Sequence, residues 1–263
     1  MPTNNERQYM MMDKPKCDLS IFDRLGLEKP AIGVKFLPRI PEGVKQLDKS
    51  MALCAMIGEA QEREEPFYAT KENEDCVGSA PMGWVDMPPW AESGLIGAWW
   101  GLYEEPRANQ KVYMDLPRFS RDVVQSIIFC QLDKLTFDPD LLFVLATPKQ
   151  AEIVFRAMLY SDGGLLESKT TNVLACAYMF AYPYRSGKVN YVVTGLAFGG
   201  KGREVFPEGR LLITIPWNWL SKIVDNLKTM DWDLPAYSMG KEKFMENAHV
   251  VHDELKREFE GER

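Results

Sequence analysis

The segment FDPDLLFVLATPKQAEIVFRAMLY, residues 137–160, constrains the fold more than any other part of the chain. Asp138, Pro139 and Asp140 make a turn, and the apolar run from Leu141 to Ala146 reads as a buried strand. Thr147 then takes the N-cap, Pro148 the first helical position and Gln150 the third, which completes a capping box. A buried strand that passes directly into a capped helix needs a sheet to join and a core to face.

Further strands are expected in PAIGVKFLP (30–38), VVQSIIFCQL (123–132), TTNVLACAYMFAYPY (170–184), VNYVVTGLAFGG (189–200) and GRLLITIP (209–216). In the third of these, alternation places Leu174, Cys176, Tyr178 and Phe180 on one strand face. EGVKQLDKSMALCAMIGEAQE (42–62) sets Val44, Leu47, Met51, Cys54 and Gly58 at three- and four-residue steps, which predicts one helix. GLIGAWWGLY predicts a short helix in which Trp99 and Trp100 supply apolar area to bury, in the core or, with the rest of the Trp-rich segment 84–100, at a subunit or partner surface. WNWLSKIVDNLKTM reads as an amphipathic helix, and the chain from Lys241 onward as a charged, exposed one. Strands arrive both singly before helices and in runs. The expected fold class is therefore α+β, a mixed and mostly antiparallel sheet flanked by helices. Its expected organisation is an N-terminal arm (1–28), a single compact domain (29–230) and a charged helical tail (231–263).

Charge removes two classes of partner. Thirty-one basic residues face 38 acidic ones, for a formal net charge of −7. An acidic chain without a basic block is unsuited to nucleic acid or to an anionic lipid surface, both of which require phosphate neutralisation. No apolar stretch approaches the roughly twenty residues needed to span a bilayer, and the first residues lack the pattern of a secretory signal. The expected location is cytoplasmic, where the five cysteines should be thiols, buried side chains or metal ligands and not structural disulfides.

The two histidines, His249 and His252, both fall in the tail. That scarcity excludes a Ser-His-Asp triad or a histidine-rich zinc centre from the body of the domain. No CxxC pair occurs. Cys54 on a helix face, Cys76 in the Gly-bearing loop DCVGSAPMG and Cys176 on an aromatic segment can nevertheless converge in space. Loop amides in such a stretch suit cluster sulfurs. The competing reading is ordinary burial, because a free cysteine often behaves as a small hydrophobe. A nucleophilic Cys76 is a weaker third reading, since Glu72, Glu74 and Asp75 surround it with negative charge and no histidine is at hand. FGGKGREVFPEG offers backbone amides beside Lys201 and Arg203 for an anion, or simply a tight turn between strands. The helix start at Pro148 is a second candidate anion site.

Taken in order, KPAIGVKFLP, LCAMIGEAQ, ENEDCVGSAPMG, FDPDLLFVLATPKQAE, LACAYMFAYPY, GLAFGGKGREVFPEG and LLITIPWNWLSKIVDNL resemble the family known as domain of unknown function 169, over about Lys29 to Leu227. The family occurs widely in archaea and anaerobic bacteria and brings no settled reaction. The resemblance implies that Cys54, Cys76 and Cys176 are its recurring cysteines. It matches Gly78 to the glycine after the second of them, Pro148 and Gln150 to its helix start, and Pro216 to the end of its last strand. Cys17, Cys130 and the histidine-bearing tail lie outside the pattern.

The expectation that follows is a cysteine-ligated metal or iron–sulfur protein with a redox or accessory role in anaerobic metabolism. Cys54, Cys76 and Cys176 would be the ligands, with Tyr68, Trp84 and Tyr178 excluding water, and a redox protein or a second copy as partner. Soft thiol ligands and a body without histidine favour iron–sulfur over a hard cation. The alternative is a non-redox module holding a small anionic metabolite or organic cofactor through Gly78, Pro148, Gln150, Lys201 and Arg203. A thiol-dependent enzyme stands behind both.

Overall fold

The computed structural model describes residues 15–260, which form two compact units divided between Lys228 and Thr229. The first unit is α+β. Its seven strands are β1 (Ile32–Leu37), β2 (Lys45–Gln46), β3 (Phe67–Ala69), β4 (Ser126–Gln131), β5 (Leu141–Ala146), β6 (Asn190–Val193) and β7 (Leu211–Pro216). They lie in the order β2-β3-β4-β1-β5-β7-β6. β2 pairs with β3 in parallel and every other pairing is antiparallel. The sheet is thus mixed and mostly antiparallel.

β5 is buried along its whole length, because both sheet faces are covered beside it. On one face Val34, Phe129, Phe143 and Leu145 pack with Leu53, Met56 and Ile57 of helix α1 (Leu53–Glu62) and with Met179 and Phe180. The Phe143 and Phe180 rings stand 4.7 Å apart, and Phe67 stacks on Phe129 at 5.3 Å. The helix that follows β5 packs on β5 and β7.

That helix, Pro148–Leu159, begins as its sequence dictates. Thr147 N donates to Gln150 Oε1 (2.8 Å) while Gln150 N donates to Thr147 Oγ1 (3.3 Å). Gln150 Nε2 also donates to the carbonyls of Leu25 and Gly26, at 3.0 and 2.9 Å. This ties the 3-10 turn Ser20–Leu25, with Ile21, Phe22 and Leu25 buried, to the start of the helix. Gln150→Ala removes both the cap and this tether, so it is expected to cost about 2 kcal/mol, against about 1 kcal/mol for Thr147→Ala. Urea denaturation midpoints compare the two, and equal losses would refute the tether.

Three expectations are corrected. The helix predicted over 42–62 exists only as Leu53–Glu62. Residues before it spend their backbone groups elsewhere: Leu47 N donates to Tyr68 O (2.8 Å) and Met51 N to Asn73 O (2.8 Å). The side-chain amide of buried Asn73 donates to the carbonyls of Leu47 and Lys49. The alternating run at 170–184 is not a strand. Ala177–Ala181 is one turn of π-helix that continues into helix Tyr182–Ser186, and Asn190 Nδ2 holds it to β6 by donating to Tyr178 O (2.7 Å). FGGKG is not a tight turn between strands but the short helix Phe198–Gly202, packed against α1.

The second unit carries the helix Lys241–Glu260, exposed throughout as its composition requires. His249 and His252 are both exposed on it. No helix among the described residues is long and apolar enough to cross a membrane.

Candidate functional site

The acidic connector before Cys76 is not a floppy linker. Thr70 caps the turn Lys71–Asn73, and Asn73 Oδ1 accepts from Thr70 N (3.0 Å) while its amide reaches the 47–49 segment. The chain leaves this anchor in an extended form. Glu74 Oε1 accepts from Cys76 N (3.2 Å), and Ser79 Oγ donates to Cys76 O (3.0 Å). Cys76 therefore stands at a defined place just before the 3-10 turn Val77–Ser79. Cys54 lies in the first turn of α1, and Cys176 immediately precedes the π-helical turn. Each thiol comes from a separate element, and each element is held by its own buried amide or sheet contact.

The structure brings Cys54, Cys76 and Cys176 to the wall of one cavity of about 250 Å³. Its other walls are mostly apolar, from Val77, Ile96, Leu102, Leu174, Met179 and Phe198, and among the described residues Arg203 is the one charged side chain on them. Gly78 sits against this group: a Cβ there would lie 3.0 Å from Glu74 Oε1 and 3.4 Å from Cys176 Sγ. The remaining predicted site residues go elsewhere. Pro148 and Gln150 belong to the helix cap described above, and Lys201 Nζ donates to Phe206 O (3.5 Å). None of these three lines the cavity. Nor do Tyr68, Trp84 and Tyr178; Trp84 is buried with Nε1 donating to Val124 O (2.7 Å). The aromatic wall is made instead by Trp100 and Phe198, whose rings are 5.5 Å apart.

Trp99 and Trp100 correct the expectation of burial in the core, for they are 89% and 62% exposed. The short helix Leu95–Trp99 buries only Gly97 and turns its bulky residues outward and toward the cavity. Trp100 lines the cavity, whereas Trp99 does not.

Electrostatics at the site follow from burial. The Cys54 thiol is pushed up to about 11, first by desolvation, with the Arg203 guanidinium pulling in the opposite direction. Cys176 is raised well above the ordinary thiol value, again first by desolvation and then by Cys54, Glu74 and Cys76. Glu74, read from sequence only as part of a negative field, is a member of the group. Its Oε2 is buried without a hydrogen-bond partner among the described residues. Burial, and secondarily Asp75, pushes this carboxyl up to about 8. The missed signal was the Asn73 anchor, which turns the next side chain inward.

Among the described residues, no three histidine, cysteine or acidic side chains lie close enough to hold a single metal ion. The three thiols share a cavity without forming the compact tetrahedron of a structural zinc site. What the wall does supply is donor type, three soft thiols on one cavity.

The chain is similar in sequence to known but uncharacterised proteins. An uncharacterised protein of Methanocaldococcus jannaschii, MJ0308, is 26% identical over 214 residues, covering 79% of this chain and 91% of the relative. No solved structure matches the chain. The family model DUF169, described as "Uncharacterised ArCR", matches residues 20–226, which include every element of the cavity wall. The chain belongs to the DUF169 family.

Proposed function

We propose that this protein is a cysteine-ligated iron–sulfur protein, or a carrier of another thiophilic metal, with a redox or accessory role in anaerobic metabolism in the cytoplasm. The observation that carries the reading is the meeting of Cys54, Cys76 and Cys176, from three separate elements, at one apolar cavity. When bound, the cluster would supply one-electron chemistry or an iron with an open coordination position. The chain's own residues act around it. Arg203 offsets the negative charge that three thiolates and inorganic sulfides would bring, and the apolar walls keep water from the sulfurs. A redox protein is the partner this role requires, with the exposed Trp99 and Trp100 at the approach; association with a second copy is the other arrangement.

The raised thiols add a pH dependence. A neutral Cys54 must lose its proton to ligate, so loading releases protons and strengthens as pH rises. Reconstitution yield at limiting iron is expected to increase from pH 6.5 to pH 8.5, and a flat profile would contradict thiolate ligation.

Anaerobic purification, or reconstitution with ferrous iron and sulfide, tests the reading. The expected result is visible absorption with iron and sulfide bound in comparable amounts, abolished in the triple variant Cys54→Ser, Cys76→Ser, Cys176→Ser. A colourless, stably folded protein free of iron and zinc after reconstitution would defeat it. The cavity itself favours a second reading, the binding of a small organic molecule. Only Arg203 and Gly78 of the residues first assigned to that role stand at the group. A thiol-dependent enzyme has less support: both histidines stand exposed on the helix Lys241–Glu260, and none lies within the first unit.

A further inference from the structure

We infer that the cysteine-lined cavity takes a small organic monocarboxylate, an aryl or medium-chain acid, with its carboxylate at Arg203 and its apolar body against Trp100 and Phe198. The inference rests on this cavity being the functional site, as proposed above, but not on the presence of a cluster.

Charge selects the head group. Among the described residues, no acidic side chain lines the cavity and Arg203 is the single cation on its wall. Arg203 closes the short helix Phe198–Gly202, and its Nη1 donates to Gly199 O at 3.0 Å. A guanidinium presents five donors in a planar fork suited to a carboxylate, so most of that capacity is available to a ligand. Asn172 adds the other non-thiol polar side chain of the wall. One cation balances one negative charge. A phosphate dianion or a dicarboxylate would bring a second charge against the apolar wall with no second cation there to pair it.

Shape selects the body. An apolar cavity of about 150 Å³ is large enough for benzene. The space here, about 250 Å³, admits an aromatic ring with a short acid side chain, or an aliphatic acid of about six to eight carbons. Ile96, Leu102, Val173 and Met179 give the wall its apolar surface. At its rim Trp100 and Phe198 meet at 52°, an open jaw that a flat or extended apolar body can fill. Filling it would cover part of the Trp100 ring, which is otherwise left in water.

Titration calorimetry on the full-length, metal-free protein under reductant tests this with 3-phenylpropionate, with its neutral counterpart 3-phenylpropanamide, and with inorganic phosphate. Expected is one carboxylate bound per chain, at least tenfold more tightly than the amide, and no phosphate binding. Arg203→Gln should weaken the carboxylate tenfold or more and leave the amide unchanged, while Arg203→Lys recovers part of the loss. Trp100→Ala should weaken carboxylate and amide alike. Absence of carboxylate binding, a preference for phosphate, or equal affinity in Arg203→Gln overturns the inference. Circular dichroism of each variant confirms the fold, and Arg203 is exposed, so loss of structure is not expected. Iron content after reconstitution is measured separately. Carboxylate binding without iron uptake defeats the cluster and keeps the ligand, and iron uptake without carboxylate binding does the reverse.

Discussion

Gly94→Ala is expected to destabilise the first unit by about 3 kcal/mol, a large loss for one methyl group at a turn. Two costs combine there. Gly94 has φ +76°, where an L side chain adds about 1 kcal/mol of strain. A Cβ would also lie 2.1 Å from the carbonyl oxygen of Pro106. That neighbour is backbone and cannot rotate aside, so the helices Leu95–Trp99 and Pro106–Met114 must separate. Their separation would strain the bond from the wholly buried Asn109 Nδ2 to Gly94 O (3.1 Å). The same helix delivers Ile96 and Trp100 to the cavity, so ligand response should fall along with stability. Gly101→Ala is the matched control: φ is +66° but nothing lies within 4 Å of its Cβ, and about 1 kcal/mol is expected. Urea denaturation of both variants separates clash from strain, and equal losses would show that the approach of Pro106 carries no energy.

The second large effect is a dependence on pH. In the folded protein the Glu74 carboxyl is pushed up to about 8, because burial disfavours the charged form and Asp75 adds repulsion. In the unfolded chain the proton leaves near 4.5. Below that pH both states are protonated and the group contributes nothing. Between about 4.5 and 8 the folded state binds more protons than the unfolded one, so stability falls as pH rises, and above 8 the loss levels off. The full interval corresponds to almost 5 kcal/mol, and residual water access brings the expected loss to about 3 kcal/mol. Glu74→Gln keeps the acceptor for Cys76 N and removes the titration. Unfolding free energies of the wild type and Glu74→Gln, measured at pH 5, 6.5 and 8, should therefore diverge in favour of the variant with rising pH. A constant difference would mean that Glu74 is hydrated and ionised like a surface acid.

The two effects bear on one place. Gly94 shapes the aromatic side of the cavity, while Glu74 lies behind Gly78 and Cys176 on the thiol side. A conformational loss at the first and a charge-state change at the second should both alter what the cavity accepts, through different physics. The first acts at every pH, and the second only across the neutral range.

How much of this was legible in the sequence varies from one element to the next. The strand Leu141–Ala146 and the helix capped by Thr147 and Gln150 follow from neighbouring residues alone, since cap, proline and apolar run act within a few positions. The helix over 42–62 failed at its first half. Periodicity at Val44, Leu47 and Met51 was real, yet the backbone there found partners on the Phe67–Ala69 strand and on Asn73, residues that spacing does not reveal. The 170–184 run failed because alternation cannot distinguish a buried strand from a buried helical turn, and the Asn190 amide that binds Tyr178 O lies outside the run. The core reading of the exposed Trp99 and Trp100 failed because apolar area alone does not place a side chain in the core.

Local chemistry written into the sequence thus determined the fold class, the strand–cap–helix unit, the exposed tail helix and the poverty of histidine in the body of the protein. It also singled out three cysteines as residues worth following. Tertiary structure alone decided that Cys54, Cys76 and Cys176 share a wall with Arg203, that Glu74 turns inward beside them, and that Trp100 and Phe198 replace the aromatics first assigned to the site. The reason is the range of the forces. Caps and periodicity act over a few residues, whereas desolvation and the meeting of distant side chains depend on which elements the sheet and its buried amides bring together.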